Sequence, residues 1–330
     1  MAASTAPLTV VAPARAHSGR TTGLVLGVAS ALAFASSGPF VKPLLEAGWS
    51  LGAALFVRIG LAALLLSPAL VLAVRRERSF LRRHGLIIVV FGLTAVAGCQ
   101  LLYFAALQRM PVAVALLIQY LAPVLLVVYT WLRTRRAPSR LVVAGSLVAI
   151  AGLVLVVDIS GATFDLLGTV FALAAAVCMG VYFIVAERAG DDLPPLALAA
   201  GGLAVGALFV GILLLVGVLP FALPYVTVVL GGVDVPGILA ILWVACVATT
   251  LGYAFGVHAV PRIGTRVASF VGLSEVLFAL GFAWLLLGET PAPVQFVGGA
   301  ILLVGVVLVR MDAGAAAVAE KATPTAAPAP

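Results

Sequence analysis

Tyr129-Thr-Trp-Leu-Arg-Thr-Arg-Arg136, followed by Gly145 and Gly152, and Phe282-Ala-Trp-Leu-Leu-Leu-Gly-Glu289, followed by Gly298 and Gly305, share one pattern. The spacing from Trp to Gly to Gly is the same in both. The loops differ, with Arg133, Arg135, Arg136 and Arg140 in the first and only Glu289 in the second. Lys and Arg are retained on the cytoplasmic side of a membrane, so equivalent loops of opposite charge are expected on opposite faces. An odd number of spans per copy produces that inversion. Inverted repeats of this kind are a plan of secondary transporters.

Working outward, 64% of the 330 residues are hydrophobic and 9% charged, far from the quarter of charged residues in a soluble domain. The expected fold is an all-α polytopic membrane protein of ten transmembrane helices, arranged as two inverted five-helix repeats. Apolar runs long enough to span are read at about Thr22 to Val41, Leu51 to Val74, Leu86 to Leu107, Val112 to Leu132 and Leu141 to Val157. Five more follow at about Leu166 to Ala186, Leu196 to Leu219, Val235 to Val257, Val267 to Leu287 and Val294 to Arg310. Helices are expected because lipid offers backbone groups no outside partner, and the short alternating segments of a barrel are not seen.

The expected repeats cover residues 21–158 and 166–311, flanked by disordered tails at 1–20 and 313–330 that are rich in Ala, Pro and Thr. The net charge of +7 is topological, with Lys and Arg collected on the side of the termini. Only Lys42 and Arg109 fall on the other side, and Arg58 lies within a span. Both termini are therefore expected in the cytoplasm, and nucleic acid is not an expected partner. Cys99, Cys178 and Cys246 sit in apolar runs without metal or redox spacing and read as small buried hydrophobes. Residues 1–20 lack a basic start followed directly by an apolar run, so no cleaved signal peptide is expected.

Leu285-Leu-Leu-Gly-Glu289-Thr-Pro-Ala-Pro-Val-Gln295-Phe-Val-Gly-Gly299, with Pro123 in the fourth run, Arg58 in the second and the two-by-five layout, resembles the EamA-type family of the drug/metabolite transporter superfamily. The resemblance covers nearly everything from Gly23 to Met311. It departs at Ala33-Phe34-Ala35, where many members carry Trp-Gly, and at Glu275, where many carry Pro. What it implies is export of a small metabolite, amino acid or drug-like compound, with an intramembrane Arg at position 58.

Glu275 is the leading candidate for proton coupling, because it lies about eight residues from either end of its run, near the bilayer midplane. A charge there costs from about 2.5 kcal/mol upward, so it must be neutral, paired or in a wet cavity. It reads either as a carrier that takes up and releases a proton or as a fixed tie to Arg58 or Tyr103. Arg58 reads as a charge partner or as a contact for a substrate anion. Gln100 and Tyr103, with Phe104 and Leu107, share one helical face. Gln119 lies one turn before Pro123, which leaves its carbonyl free for a substrate amine or simply kinks the helix. Ser37, Tyr182 and Tyr253 complete the substrate-binding candidates, with Ser36 and Thr250 as weaker ones. His258 beside Arg262 reads as a boundary residue, and Asp191 with Asp192 as a solvated turn.

No phosphate loop, nucleophile elbow or zinc-protease signature occurs. No enzyme, metal or cofactor is therefore expected, and ATP does not drive this chain by itself. The expectation is a secondary active transporter in the bacterial inner membrane, exporting a small solute by alternating access coupled to protons, as monomer or homodimer. Its partners would be substrate, protons and lipid. The alternatives are an uncoupled importer or facilitator and, more remotely, a non-transporting membrane enzyme or scaffold.

Overall fold

The computed structural model describes residues 15–135, 137–157, 165–188 and 193–322. The chain begins with α1 (Arg15–Ala35), α2 (Ser37–Glu46), α3 (Leu51–Arg76) and α4 (Phe80–Phe91). A π-helical segment (Gly92–Gly98) continues α4 into α5 (Cys99–Leu107), and α6 (Val112–Gln119), α7 (Ala122–Thr134) and α8 (Arg140–Val157) follow. After α9 (Leu166–Arg188) and α10 (Pro195–Leu215) comes a hairpin of β1 (Thr227–Leu230) and β2 (Val233–Pro236). Then α11 (Gly237–Trp243), a second π-helical segment (Val244–Leu251), α12 (Gly252–Leu287) and α13 (Pro293–Ala322) complete the chain.

Residues 15–20 and 313–322, read from sequence as tails, are helical, and the rest of both tails lies outside the described residues. Asp191 and Asp192 also lie outside them. The gap expected between the runs Val235 to Val257 and Val267 to Leu287 is absent, because α12 runs on through it.

The expectation of ten transmembrane helices in two inverted five-helix repeats is corrected. Among the described residues six helices are long and apolar enough to cross a membrane: Gly19–Glu46, Leu51–Arg76, Phe80–Leu107, Val112–Thr134, Pro195–Leu215 and Gly237–Val260. Four of these precede residue 158 and two follow residue 166, so the halves are not equivalent five-span units. The apolar helices Arg140–Leu155, Leu166–Val181, Val271–Leu287 and Pro293–Val309 are shorter, at 10–17 residues. These stretches lie within α8, α9, α12 and α13 and are shorter than the six spans, the shortest of which, Pro195–Leu215, has 21 residues.

Contacts between the two halves build the bundle. α1 packs on α12, α3 on α10, α5 on α9 and α8 on α13. The last pair is the closest, because Gly152 lies against the backbone of Gly298 and Leu302 while Gly305 lies against Gly145 and Ala149. The small-residue face that could have served a dimer is therefore spent inside the chain. Leu44, Leu55, Ile59, Phe104 and Ile118 fill the centre without exposure, while Leu64, Leu147 and Leu208 face outward, as lipid requires.

The hairpin closes one end. Gly231 and Gly232 have φ of 60° and 80°, which suits a two-residue turn, and Gly231 N–H donates to the Leu286 carbonyl at 2.9 Å. The same end carries two ion pairs, Lys42 with Glu289 and Arg109 with Asp165. Asp165 also accepts the Gly168 amide at the start of α9. That amide first, and the Arg109 guanidinium 3.1 Å away second, hold its carboxyl below the ordinary value of 3.8. A depressed carboxyl stabilises the fold above its unfolded value and loses that contribution as pH falls through the folded one. Asp165→Asn should therefore lower the thermal midpoint of the detergent-solubilised protein at pH 7. The gap to wild type should close as pH falls below 3.8, and a gap that persists there would reject the assignment.

Candidate functional site

Pro123 decides where the first half of the site forms. Lacking an N–H, it cannot continue α6 into α7. The helix stops at Gln119, and α7 restarts with Pro123 in its first turn. Tyr120 sits in that break, 3% exposed. Its hydroxyl lies 2.8 Å from Oε2 of Glu275 and 3.0 Å from the carbonyl of Gly272, both on α12. Glu275 is half-buried and meets Tyr120, not Arg58 or Tyr103.

The second half forms around a π-helical turn. In Val244–Leu251 the hydroxyls of Thr249 and Thr250 donate to the carbonyls five residues back, Val244 and Ala245, each at 2.8 Å. The wider turn directs Thr249, fully buried, at α3. There Arg58 Nε donates to Thr249 Oγ1 at 2.8 Å. The guanidinium carbon stands 5.0 Å above the centre of the Phe104 ring, a cation–π contact that strengthens away from water. Arg58 is 3% exposed, and its Nη1 is buried without a partner.

Tyr103 (α5) is buried beside Phe104, with ring centres 5.9 Å apart. Arg58, Tyr103 and Glu275 lie within electrostatic reach of one another. Gln119 faces another way, its Nε2 donating to Cys99 Sγ at 3.2 Å and to Met179 Sδ at 3.9 Å while its Oε1 stays buried and unpaired. Gln100 is half-buried on α5. Tyr253 packs edge-on against Phe34, with centres 5.2 Å apart. Ser37 is buried with its hydroxyl unpaired, and neighbouring Ser36 accepts from Trp243 Nε1 at 3.0 Å. Tyr182 lies on α9, but its side chain is outside the described residues. His258 lies on the exposed surface of α12, and its Nδ1 stands 2.6 Å from the Ala254 carbonyl.

The structure thus joins Arg58, Tyr103 and Glu275 in one interior and leaves Gln119 in a sulfur-lined corner. Sequence reasoning missed Tyr120 and Thr249. Pro123, three residues on, was a readable signal for Tyr120, whereas a π-helical turn leaves no pattern that would single out Thr249. It also missed the contact of Lys42 with Glu289, whose second oxygen accepts the Val112 N–H at 3.0 Å. A sum over loop charges leaves such pairs invisible until the helices are placed.

Two cavities flank this interior. One of about 310 Å³ is an apolar groove between α6, α12 and α13, lined by Val114, Leu117, Leu280, Phe296 and Leu303. The other, about 800 Å³, opens between α2, the hairpin and the end of α12, beside Lys42, Glu46 and Glu289. Among the described residues no group of three His, Cys, Asp or Glu could hold a metal.

Residues 21–158 and 166–311 match the EamA-like transporter family. The threonine/homoserine exporter RhtA of Escherichia coli K12 is 26% identical over 228 residues, 68% of this chain and 70% of that one. A protein described as a probable terminal-alkyne amino-acid exporter, from Streptantibioticus cattleyicolor, is 27% identical over 290 residues, 86% and 91% of the two chains. The uncharacterized transporter YyaM of Bacillus subtilis is 24% identical over 267 residues, 76% and 81% of the two. A solved protein structure superposes with a TM-score of 0.52 at 22% identity, covering 92% of this chain and 99% of that one, which supports the fold alone.

Proposed function

Because the chain belongs to the EamA-like transporter family, we propose that it exports a small amino acid or related metabolite across the bacterial inner membrane in exchange for protons carried by Glu275. The chain is a small-molecule transporter, and the proposal adds the direction, the solute class and the coupling. The observation that carries it is a carboxylate on an apolar helix, half-buried, held by the Tyr120 hydroxyl and by no cation among the described residues. Such a group is expensive in lipid and is kept where a pathway uses it. The two relatives described as amino-acid exporters support the solute class.

Clustering of Lys and Arg at the end with the termini supports a cytoplasmic location for both. The opposite, outer end is then the one closed by the hairpin and by the pairs Lys42 with Glu289 and Arg109 with Asp165. Alternating access requires that closure to open in the other half of the cycle. Lys42→Met leaves Glu289 half-buried without its counter-charge, which shifts the balance toward an outward-open form. With Cys178 and Cys246 replaced by Ser, buried Cys99 should then react about tenfold faster with an impermeant thiol reagent applied from outside. An unchanged rate would remove the pair from any gating role.

The function itself is tested with purified protein in liposomes loaded with a mixture of the twenty L-amino acids and a pH indicator. Loss of an amino acid accompanied by proton entry is the expected result. Loss without proton entry would mark an uncoupled facilitator, and no loss of any amino acid would overturn the solute class.

A further inference from the structure

The interior holds a cation and an anion that do not meet. Arg58 on α3 is bound through Nε to Thr249 and covered on one face by Phe104, so its edge at Nη1 is free, buried and unpaired. Glu275 on α12 takes the Tyr120 hydroxyl on Oε2, and its Oε1 accepts no hydrogen bond among the described residues. Neither joins an ion pair among those residues, so more than 4.0 Å separates them, yet each lies within electrostatic reach of the other. Leaving opposite charges unpaired in a low-dielectric interior is costly, and their mutual contact would be the obvious remedy. Here that contact is withheld by anchors on different helices: Thr249 and Phe104 hold one charge, and Tyr120 holds the other.

A ligand carrying one charge of each sign meets both needs at once. We infer that the exported solute is bound as a zwitterion, its carboxylate on the free edge of Arg58 and its ammonium on Glu275, with Tyr103 beside the two. A guanidinium edge suits the two oxygens of a carboxylate, and an ionised carboxylate suits an ammonium. The inference rests on the export reading above and adds to it the two points of attachment. It also explains the exchange, since a proton arriving on Glu275 removes the charge that holds the ammonium. Proton and solute then compete for one carboxylate, and the solute leaves as the proton binds.

The test uses the liposomes already described. The amino acid that moves fastest is compared with its decarboxylated amine and its deaminated acid, which keep one charge each. Wild type should move the zwitterion at least about tenfold faster than either half, the discrimination expected for one charge-assisted hydrogen bond. Arg58→Gln should erase the preference over the amine alone, Arg58→Lys should retain most of it, and Glu275→Gln should erase the preference over the acid. A merely structural Arg58 would slow all three compounds together and leave their ratios unchanged, which would overturn the inference. So would transport of the amine or the acid at the rate of the zwitterion in wild type. Export of amines or acids with no amino acid moving would reject the zwitterion while leaving export intact. Failure of every compound to move would reject export itself, and the inference with it.

Discussion

Glu275→Gln abolishes the solute gradient that a proton gradient sustains, while exchange of solute for solute persists at a reduced rate, because the variant also loses the charge that holds the ammonium. Wild-type protein exchanging one proton for one neutral solute should build about a tenfold solute gradient for each unit of pH difference, since one unit and one decade are the same free energy. Gln keeps the size of Glu and can accept from the Tyr120 hydroxyl as Glu275 does, so the junction of α12 with the α6–α7 break survives. It cannot titrate, and the sustained gradient should fall to none. The measurement is steady-state accumulation in liposomes at pH differences of zero and one, beside counterflow of labelled amino acid at equal pH. A variant that still concentrates solute in proportion to the pH difference would sink the carrier role. Counterflow lost altogether would point to a folding defect, which a lowered thermal midpoint would reveal.

Gly152→Ala and Gly305→Ala should each destabilise the protein by about 1–3 kcal/mol, and the Leu variants should yield no folded material. A methyl group on Gly152 would stand 2.7 Å from the Gly298 carbonyl oxygen, and one on Gly305 would stand 2.6 Å from that of Gly145. Both collisions are with backbone, which cannot swing aside as a side chain can, so α8 and α13 must separate along the contact. Gly60→Ala and Gly281→Ala are the controls, because a methyl group there meets nothing within 4 Å and Ala favours helix over Gly. Thermal unfolding followed by fluorescence in detergent should show the first pair lowered by roughly 3 °C or more and the controls unchanged or raised. Equal behaviour of the two pairs would mean that α8 and α13 do not pack as described.

Helix, membrane class and the two interior charges were legible in the sequence, because a single Arg or Glu inside an apolar run has almost no other explanation. The span count was not. Apolar runs such as Leu141 to Val157 look like spans by composition, yet the described apolar stretch there, Arg140–Leu155, is shorter than any of the six spans. The neighbours of Glu275 were not legible either, because which face of α12 meets which helix depends on the break at Tyr120, where the chain turns without a change in polarity. Small residues at Gly145, Gly152, Gly298 and Gly305 permit close backbone contact, but only assembly decides between a partner helix in the same chain and one in another. The hairpin was within reach, since Gly231-Gly232 separates Thr227-Val-Val-Leu230 from Val233-Asp-Val-Pro236, and an expectation of helices alone passed over it.

The π-helical segment Val244–Leu251 fixes the rotational phase of everything that follows it. An α-helix turns by about 100° per residue, so the extra residue held in the widened turn offsets α12 by about that angle from the path an unbroken α-helix would take. Removing one residue between Trp243 and Gly252 would leave the composition and hydropathy of the region almost untouched. It would nonetheless swing Tyr253 away from Phe34, and the threonine hydroxyls would lose the carbonyls five residues back that now orient them. Two sequences that differ here by a single gap can therefore look interchangeable by composition while presenting different side chains to Arg58.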